Sequence, residues 1–256
     1  MAKIKVETVK DEMQLLLSNV PGFEGDVFEM KVPESIGPTD RSRWFDIIQF
    51  TWQEEADGNW SGRGWVEGEI EYTVDMKLGE DYVDFIIHLT NKSNESWKET
   101  QAFNCFSNRY APSVRDHDCK RHWVRSSGEF KRLIEIPRVF GPRPSLQLYN
   151  VEGAPAGKDI PFVAAFQSTP EDVAIEGWFA IQARDGKHMV AVASKPVLYT
   201  FQNREYSCIH SSPTFGALEP GETGSAITRV YFVEATVEAW HERMRSEFET
   251  IDPENL

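Results

Sequence analysis

Two long segments of alternating apolar and polar residues constrain the fold of this chain more than any other feature. The first runs from Trp65 to Leu78 and the second from Tyr82 to Thr90, and Gly79-Glu80-Asp81 between them is a typical turn sequence. A period of two is that of a β-strand with one buried face, so the pair predicts a β-hairpin. We therefore expect a chain built mainly of antiparallel strands.

Similar patterns predict strands along most of the remaining sequence. The predicted strands cover residues 44–53, 97–106, 124–136 with a break at 126–128, 161–168, 173–183, 188–194, 197–209 and 226–234. The segment 138–158 contains several prolines and glycines and has no period, so it is predicted to form a long loop.

The C-terminal segment has a different period. Val237, Trp240, Met244 and Phe248 recur at helical spacing behind Thr236, a predicted N-cap. Many strands, one terminal amphipathic helix and no β-α-β alternation predict a mainly β fold, an antiparallel double-sheet sandwich of the supersandwich type. Residues 1–256 are expected to form a single sandwich domain, since all-β domains often reach this length.

Charge and composition exclude several classes of partner. The formal net charge of −14 disfavours nucleic acids and anionic membranes, which bind through basic surfaces. No segment is long and apolar enough to cross a bilayer, and the N-terminal residues lack the apolar core of a signal peptide. Three cysteines without a Cys-x-x-Cys pair do not form a disulfide framework. We therefore expect a cytoplasmic protein that binds neither nucleic acid nor membranes.

Two short motifs carry a resemblance to a known group of proteins. The strand and turn Phe85-Ile-Ile-His-Leu-Thr-Asn-Lys-Ser and the later turn Leu218-Glu-Pro-Gly-Glu-Thr resemble the large β-sandwiches of the galactose mutarotase-like group, over roughly residues 65 to 235. The loop His210-Ser-Ser-Pro is similar to one in uncharacterised bacterial β-sandwich proteins. The first resemblance implies sugar binding, because that group includes sugar epimerases and the sandwich domains of polysaccharide lyases and glycosidases. It transfers no catalytic residue, since no mutarotase His and Glu pair aligns with this chain.

His210 is the strongest single candidate for chemistry. It stands at the predicted end of a strand, beside a loop held by Pro213 and Gly216. A rigid strand fixes such a side chain while the loop leaves it open to a ligand.

The densest polar cluster lies between residues 108 and 125. It contains Arg109, Arg115, Arg121 and Arg125 together with Tyr110, His117 and His122. Guanidinium groups match carboxylates in two-point geometry, so Arg109 and Arg125, with Trp123, are predicted to bind a sugar or a sugar acid. The alternative is that these arginines only neutralise acidic groups on the surface.

These two segments together suggest a mechanism of proton transfer. His210 would remove a proton next to a carbonyl or carboxyl group, and His122, His117 or Tyr110 would return one. The reaction requires no cofactor, and the alternative use of the histidines is a divalent metal site formed by His117, His122 and His210.

The sequence thus predicts a carbohydrate-active enzyme of the epimerase or lyase type acting on a small sugar or sugar acid. A non-catalytic carbohydrate-binding sandwich and a structural or assembly protein remain as alternatives. The enzyme requires that His210 and His117 or His122 meet in one concave pocket.

Overall fold

The computed structural model describes residues 4–9, 12–55 and 58–256, which form two nine-stranded sheets. In chain order the strands are β1 (Lys5–Thr8), β2 (Gln14–Ser18), β3 (Val27–Pro38), β4 (Arg43–Trp44), β5 (Gln49–Glu54), β6 (Trp60–Val66), β7 (Ile70–Leu78), β8 (Tyr82–Asn91), β9 (Thr100–Tyr110), β10 (His122–Ser126), β11 (Glu129–Arg132), β12 (Leu146–Val151), β13 (Ala174–Ile175), β14 (Trp178–Gln182), β15 (His188–Lys195), β16 (Val197–Asn203), β17 (Cys208–Pro213) and β18 (Thr223–Glu234). The helices are α1 (Pro161–Ala164) and α2 (Val237–Glu247), with 3₁₀ turns at Leu133–Glu135, Gly157–Asp159 and Pro253–Asn255.

The two sheets confirm the predicted antiparallel double-sheet sandwich. The first sheet has the order β1-β2-β3-β9-β17-β16-β12-β13, with β4 paired to β3, and the second has the order β11-β10-β14-β15-β18-β8-β7-β6-β5. Among the described strands only the short pair β12–β13 is parallel.

The core lies between the sheets and fixes which face of each strand is buried. Phe28 and Phe106 of the first sheet pack on Phe232 of the second, with ring centroids 4.9 and 6.1 Å from it. Since side chains alternate across a strand, the neighbours of Phe106 in β9 point to the opposite face of the first sheet. That opposite face carries the cavity described below.

The predicted C-terminal amphipathic helix is confirmed as α2. It covers the outer face of the second sheet. The Thr236 hydroxyl caps α2 by accepting a hydrogen bond from the Ala239 amide at 3.3 Å. Trp240 packs against Trp178 and Tyr231, with ring centroids 5.0 and 5.5 Å away.

Several predicted boundaries were wrong. The strand expected over residues 65–78 is two strands, because β6 ends at Val66 and a turn precedes Ile70. The expected strand 161–168 begins instead with helix α1, where Pro161 occupies the first helical turn. The expected loop 138–158 contains β12, and the strand expected over 197–209 divides into β16 and β17 at a turn. The three strands β1 to β3 were not predicted.

The helices are short. None in the described part of the chain has the length and apolar composition required to cross a membrane.

Candidate functional site

A cavity of about 370 Å³ opens on the face of the first sheet that points away from the second sheet. Phe103, Cys105 and Ser107, alternate residues of β9, line it. The intervening Asn104 points the other way, since its amide donates to the Thr228 hydroxyl of the second sheet at 2.9 Å. The remaining lining residues are Glu29, Lys31, Glu34, Trp44, Phe45, Arg109, Arg143, Leu146, Phe166, Phe201, Asn203, Tyr206, Cys208 and His210.

His210 lies in the middle of β17 and forms part of the cavity floor. It is only 1% exposed, and its ring stacks on Phe103 with a centroid distance of 4.5 Å. Its Nδ1 lies 3.1 Å from the Phe201 carbonyl oxygen, so Nδ1 carries the hydrogen and donates it. The other ring nitrogen, Nε2, therefore carries the lone pair and forms no hydrogen bond with the described residues. Burial lowers the pKa of the imidazole to about 3, against a smaller opposing effect of the Phe201 carbonyl.

Glu34 reaches the same floor because β3 bulges at this point. Lys31 pairs with Cys105 and Ser35 with Phe103, so three residues of β3, at positions 32 to 34, oppose one residue of β9. A bulge of this kind redirects side chains, and bulges often occur beside active sites. It brings the Glu34 carboxylate within 4.8 Å of the ligand atoms of both Cys105 and His210.

The surroundings of Glu34 alter its acidity. Burial raises the pKa of its carboxyl group above the usual range, although the Lys31 ammonium and a hydrogen bond from the Cys105 thiol oppose this effect. Lys31 Nζ lies 3.8 Å from Glu34 Oε1. The pKa of the Cys105 thiol is raised well above its usual value, first by its hydrogen bond with Cys208 and then by burial. The floor thus holds a carboxyl group of raised pKa beside a neutral imidazole and the protonated Cys105 thiol.

Glu34, Cys105 and His210 are also the described residues best placed to hold a metal ion. Carboxylate oxygen, thiolate sulfur and imidazole nitrogen are all ligands of zinc-like ions. The Lys31 ammonium beside Glu34 opposes a bound cation by charge repulsion.

The cavity mouth is aromatic and cationic. Trp44, Phe45 and Tyr206 are 38%, 44% and 43% exposed there. The guanidinium carbon of Arg109 lies 5.6 Å from the centre of the Tyr206 ring, and Arg143 is exposed on the same lining. A flat polar ligand can therefore contact rings and charged donors together.

The structure does not bring the three predicted histidines together. The exposed His117 bonds through Nδ1 to the Arg204 carbonyl at 2.5 Å. His122 is fully buried in β10 of the second sheet, with Nδ1 3.2 Å from Asp116 Oδ2. Neither lines the cavity of His210, and the group His117, His122 and His210 is not among those able to share a metal ion in the described part of the chain. The expected pocket shared by His210 with His117 or His122 is therefore not present in the described part of the chain.

The Asp116–His122 pair has a local structural role instead. Burial alone would raise the pKa of Asp116, but hydrogen bonds from His122 and from the Arg121 amide outweigh it and lower the pKa to about 2. Burial lowers the pKa of His122. A neutral His122 thus donates to a charged carboxylate and anchors the connection that leads from β9 into β10.

The other predicted residues divide between the two sheets. Arg109 lines the cavity, whereas its neighbour Tyr110 is 52% exposed and does not. Arg125 forms an ion pair with Glu176 at 2.5 Å, and the ring of Trp123 lies 5.2 Å from the guanidinium carbon of Arg132. Both belong to β10 in the second sheet, because residues 111–121 carry the chain from one sheet to the other.

Sequence reasoning missed Glu34, Lys31, Cys105 and Arg143 as site residues. The segment 27–31 alternates, with Phe28 and Met30 apolar and Glu29 and Lys31 polar, and this period could have revealed β3. The bulge that follows contains Pro33, and a proline inside a strand is a signal of such an irregularity because it cannot donate a ladder hydrogen bond.

Comparison with solved structures shows that the fold is that of galactose mutarotase-like proteins. The chain is similar to a galactose mutarotase-related enzyme from Lactobacillus acidophilus, with a TM-score of 0.51 and 10% identity over 91% of this chain and 99% of that chain. It is also similar to the α-N-acetylgalactosaminidase NagBb from Bifidobacterium bifidum, with a TM-score of 0.55 and 11% identity over 97% of this chain. It spans 38% of that glycosidase chain. No protein-family model and no curated protein sequence matches. At these identities the likeness establishes the fold alone.

Proposed function

We propose that this protein is an enzyme that binds a sugar or sugar acid in the cavity and transfers protons on it, in a reaction of the epimerase or lyase type. The observation that carries the proposal is the convergence of Glu34 and His210 on one floor, with ligand atoms within 4.8 Å of each other. Two titratable groups of different acidity in one cavity are the usual equipment of acid–base catalysis.

His210 is the proton acceptor in this proposal. Its Nδ1 hydrogen is fixed on the Phe201 carbonyl, so Nε2 is the nitrogen left to accept a proton from the substrate. Burial makes the imidazole a weak base. A bound substrate that develops negative charge next to the ring stabilises the imidazolium and strengthens the base during the reaction.

Glu34 is the proton donor. Its raised pKa favours the protonated carboxyl group, which can give a proton to one substrate atom as His210 takes one from another. The resulting carboxylate then faces the Lys31 ammonium, which stabilises it. In the reverse direction Glu34 and His210 exchange roles. Glu34 thus takes the place of His122, His117 and Tyr110, the proton donors expected from the sequence.

Sugar binding is supported by the composition of the lining. Exposed aromatic rings at the mouth and a few polar side chains at the floor are the usual composition of small-molecule sites. The sugar-related names of proteins with the same fold point to the same class of ligand.

The experiment is a thermal-shift screen of neutral sugars and sugar acids, followed by NMR detection of epimerised or eliminated product. A ligand at about 100 times its Kd should raise the unfolding free energy by about 2.7 kcal/mol.

His210→Asn keeps a donor for the Phe201 carbonyl but has no titratable ring. It is expected to lower turnover by about a hundredfold with sugar affinity and Tm nearly unchanged.

Other outcomes contradict the proposal. A sugar that binds without turnover would favour the non-catalytic carbohydrate-binding sandwich. Full turnover in His210→Asn would remove His210 from the chemistry, and a large fall in Tm would make its role structural.

Chelation tests whether the proposed reaction depends on a metal ion. Dialysis against EDTA is expected to leave kcat unchanged, because the proposed steps use only the side chains of Glu34 and His210. A loss of kcat that Zn²⁺ restores would instead identify Glu34, Cys105 and His210 as metal ligands. Metal analysis of the untreated protein provides the control.

A further inference from the structure

Two guanidinium groups at the cavity mouth have no carboxylate or hydrogen-bond partner among the described residues. The Arg109 side chain contacts the rings of Tyr110 and Tyr206, with its guanidinium carbon 4.8 and 5.6 Å from their centres. The Arg143 guanidinium forms no hydrogen bond, ion pair or ring contact with a described residue. Both side chains line the same cavity and are exposed there.

Twelve of the fifteen arginines have such a partner among the described residues, and the third arginine without one, Arg132 on β11 of the second sheet, lies over the Trp123 ring. Carboxylates pair with Arg41, Arg43, Arg63, Arg125, Arg229, Arg243 and Arg245. Oxygens of the backbone or of an amide side chain accept hydrogen bonds from Arg115, Arg121, Arg138, Arg184 and Arg204. The chain has 41 acidic residues against 27 lysines and arginines, so carboxylate partners are plentiful. Two arginines at one cavity mouth lack such partners, so their anionic partner can come from a ligand.

The rest of the lining favours an anion at the mouth rather than at the floor. Glu29 and Glu34 lie towards the buried part of the cavity, and Lys31 stands beside Glu34. Lys31 thus offsets one of the two floor carboxylates, while Arg109 and Arg143 at the entrance form no ion pair with a described carboxylate. Guanidinium forks bind planar carboxylates and phosphates through two parallel hydrogen bonds.

We infer that the ligand of this cavity carries an anionic group, a carboxylate or a phosphate, which Arg109 and Arg143 bind at the mouth. The sugar ring then lies against the exposed aromatic rings and reaches Glu34 and His210. The sugar part rests on the proposed function, whereas the anion site depends only on the two arginines. The substrate class is accordingly a sugar acid or a sugar phosphate rather than a neutral sugar.

The test is isothermal titration calorimetry of the full chain with glucose, glucuronate, glucose 6-phosphate and inorganic phosphate. The anionic sugars are expected to bind about 10- to 100-fold more tightly than glucose, because charge-assisted hydrogen bonds stabilise more than neutral ones. Arg109→Ala combined with Arg143→Ala should abolish this preference and leave glucose affinity within about twofold. Arg245→Ala removes one guanidinium from α2, on the second sheet, and should preserve the preference.

The outcomes separate the two proposals. Glucose binding as tightly as both anionic sugars, or a preference that survives in the double arginine variant, overturns the anion site and leaves the sugar site standing. Binding of inorganic phosphate that requires both arginines, with no binding of any sugar, supports the anion site and contradicts the proposed function. No binding of any of the four compounds contradicts both. The ratio of glucuronate to glucose 6-phosphate affinity then identifies which anion the arginines prefer.

Discussion

Replacing Glu34 with glutamine is expected to lower kcat by roughly 10²- to 10⁴-fold while Tm changes little. Glutamine has the shape of glutamate and can still accept a hydrogen bond from the Cys105 thiol, but it cannot give or take a proton at neutral pH. Half-buried Glu34 lies on a bulge that Phe103 and Cys105 hold from the neighbouring strand, so the backbone should tolerate the change. The measurement is kcat and KM with the substrate found by the screen, together with Tm.

The matched control is Glu129→Gln on β11. That carboxylate is 73% exposed on the second sheet, and its loss should leave both kcat and KM unchanged. Wild-type kcat in the Glu34 variant would exclude Glu34 as proton donor. A raised KM with an unchanged kcat would assign Glu34 to binding alone.

Much of this fold could be predicted because its strongest elements follow simple periods. Strand β7 and the helix α2 each bury one face, so the period of the sequence survives in the structure. Boundaries were less accurate where a short turn interrupts the alternation. The three residues between Val66 and Ile70 include two glutamates, which fit an exposed strand face as well as a turn.

The site was predicted less completely, and β3 shows why. His210 could be found because a histidine in a strand near a rigid loop is conspicuous. Glu34 could not, because its position depends on a bulge that shifts the register between Lys31 and Ser35. The two extra residues turn Glu34 to the cavity, while Met30 before them and Ile36 after them pack in the same core, so the alternation of the sequence does not show where Glu34 points.

The segment from Arg109 to Arg125 shows a different limit. Its cationic and imidazole side chains are neighbours in sequence, so they suggested one site. The chain leaves the first sheet after Tyr110 and enters the second at His122, which separates Arg109 from Arg125 and Trp123. Proximity in sequence predicts a shared site only where the connection stays on one sheet.

The second large effect is expected in stability, at the ion pair between Asp84 on β8 and Arg229 on β18. Two hydrogen bonds of 2.6 and 2.8 Å join the carboxylate and guanidinium groups, whose side chains are 11% and 6% exposed. The guanidinium carbon also lies 3.8 Å from the centre of the Tyr82 ring. Asp84→Ala should lower the free energy of unfolding by about 3–5 kcal/mol, because it leaves a buried cation without its partner. Urea denaturation measures the change.

Two comparisons decide whether burial causes this effect. Arg63→Ala breaks the exposed ion pair with Glu71 and should cost about 1 kcal/mol or less. In the double variant Asp84→Leu, Arg229→Met the charge is gone, so most of the lost stability should return. A cost below about 1 kcal/mol for Asp84→Ala would mean that water reaches Arg229 in the folded protein.

The Asp84–Arg229 pair lies on the second sheet near Phe248, whereas the cavity is on the first sheet. At urea concentrations below the unfolding midpoint, the sugar affinity of Asp84→Ala should therefore match that of the wild type. The loss of stability would then be separate from the chemistry of Glu34 and His210.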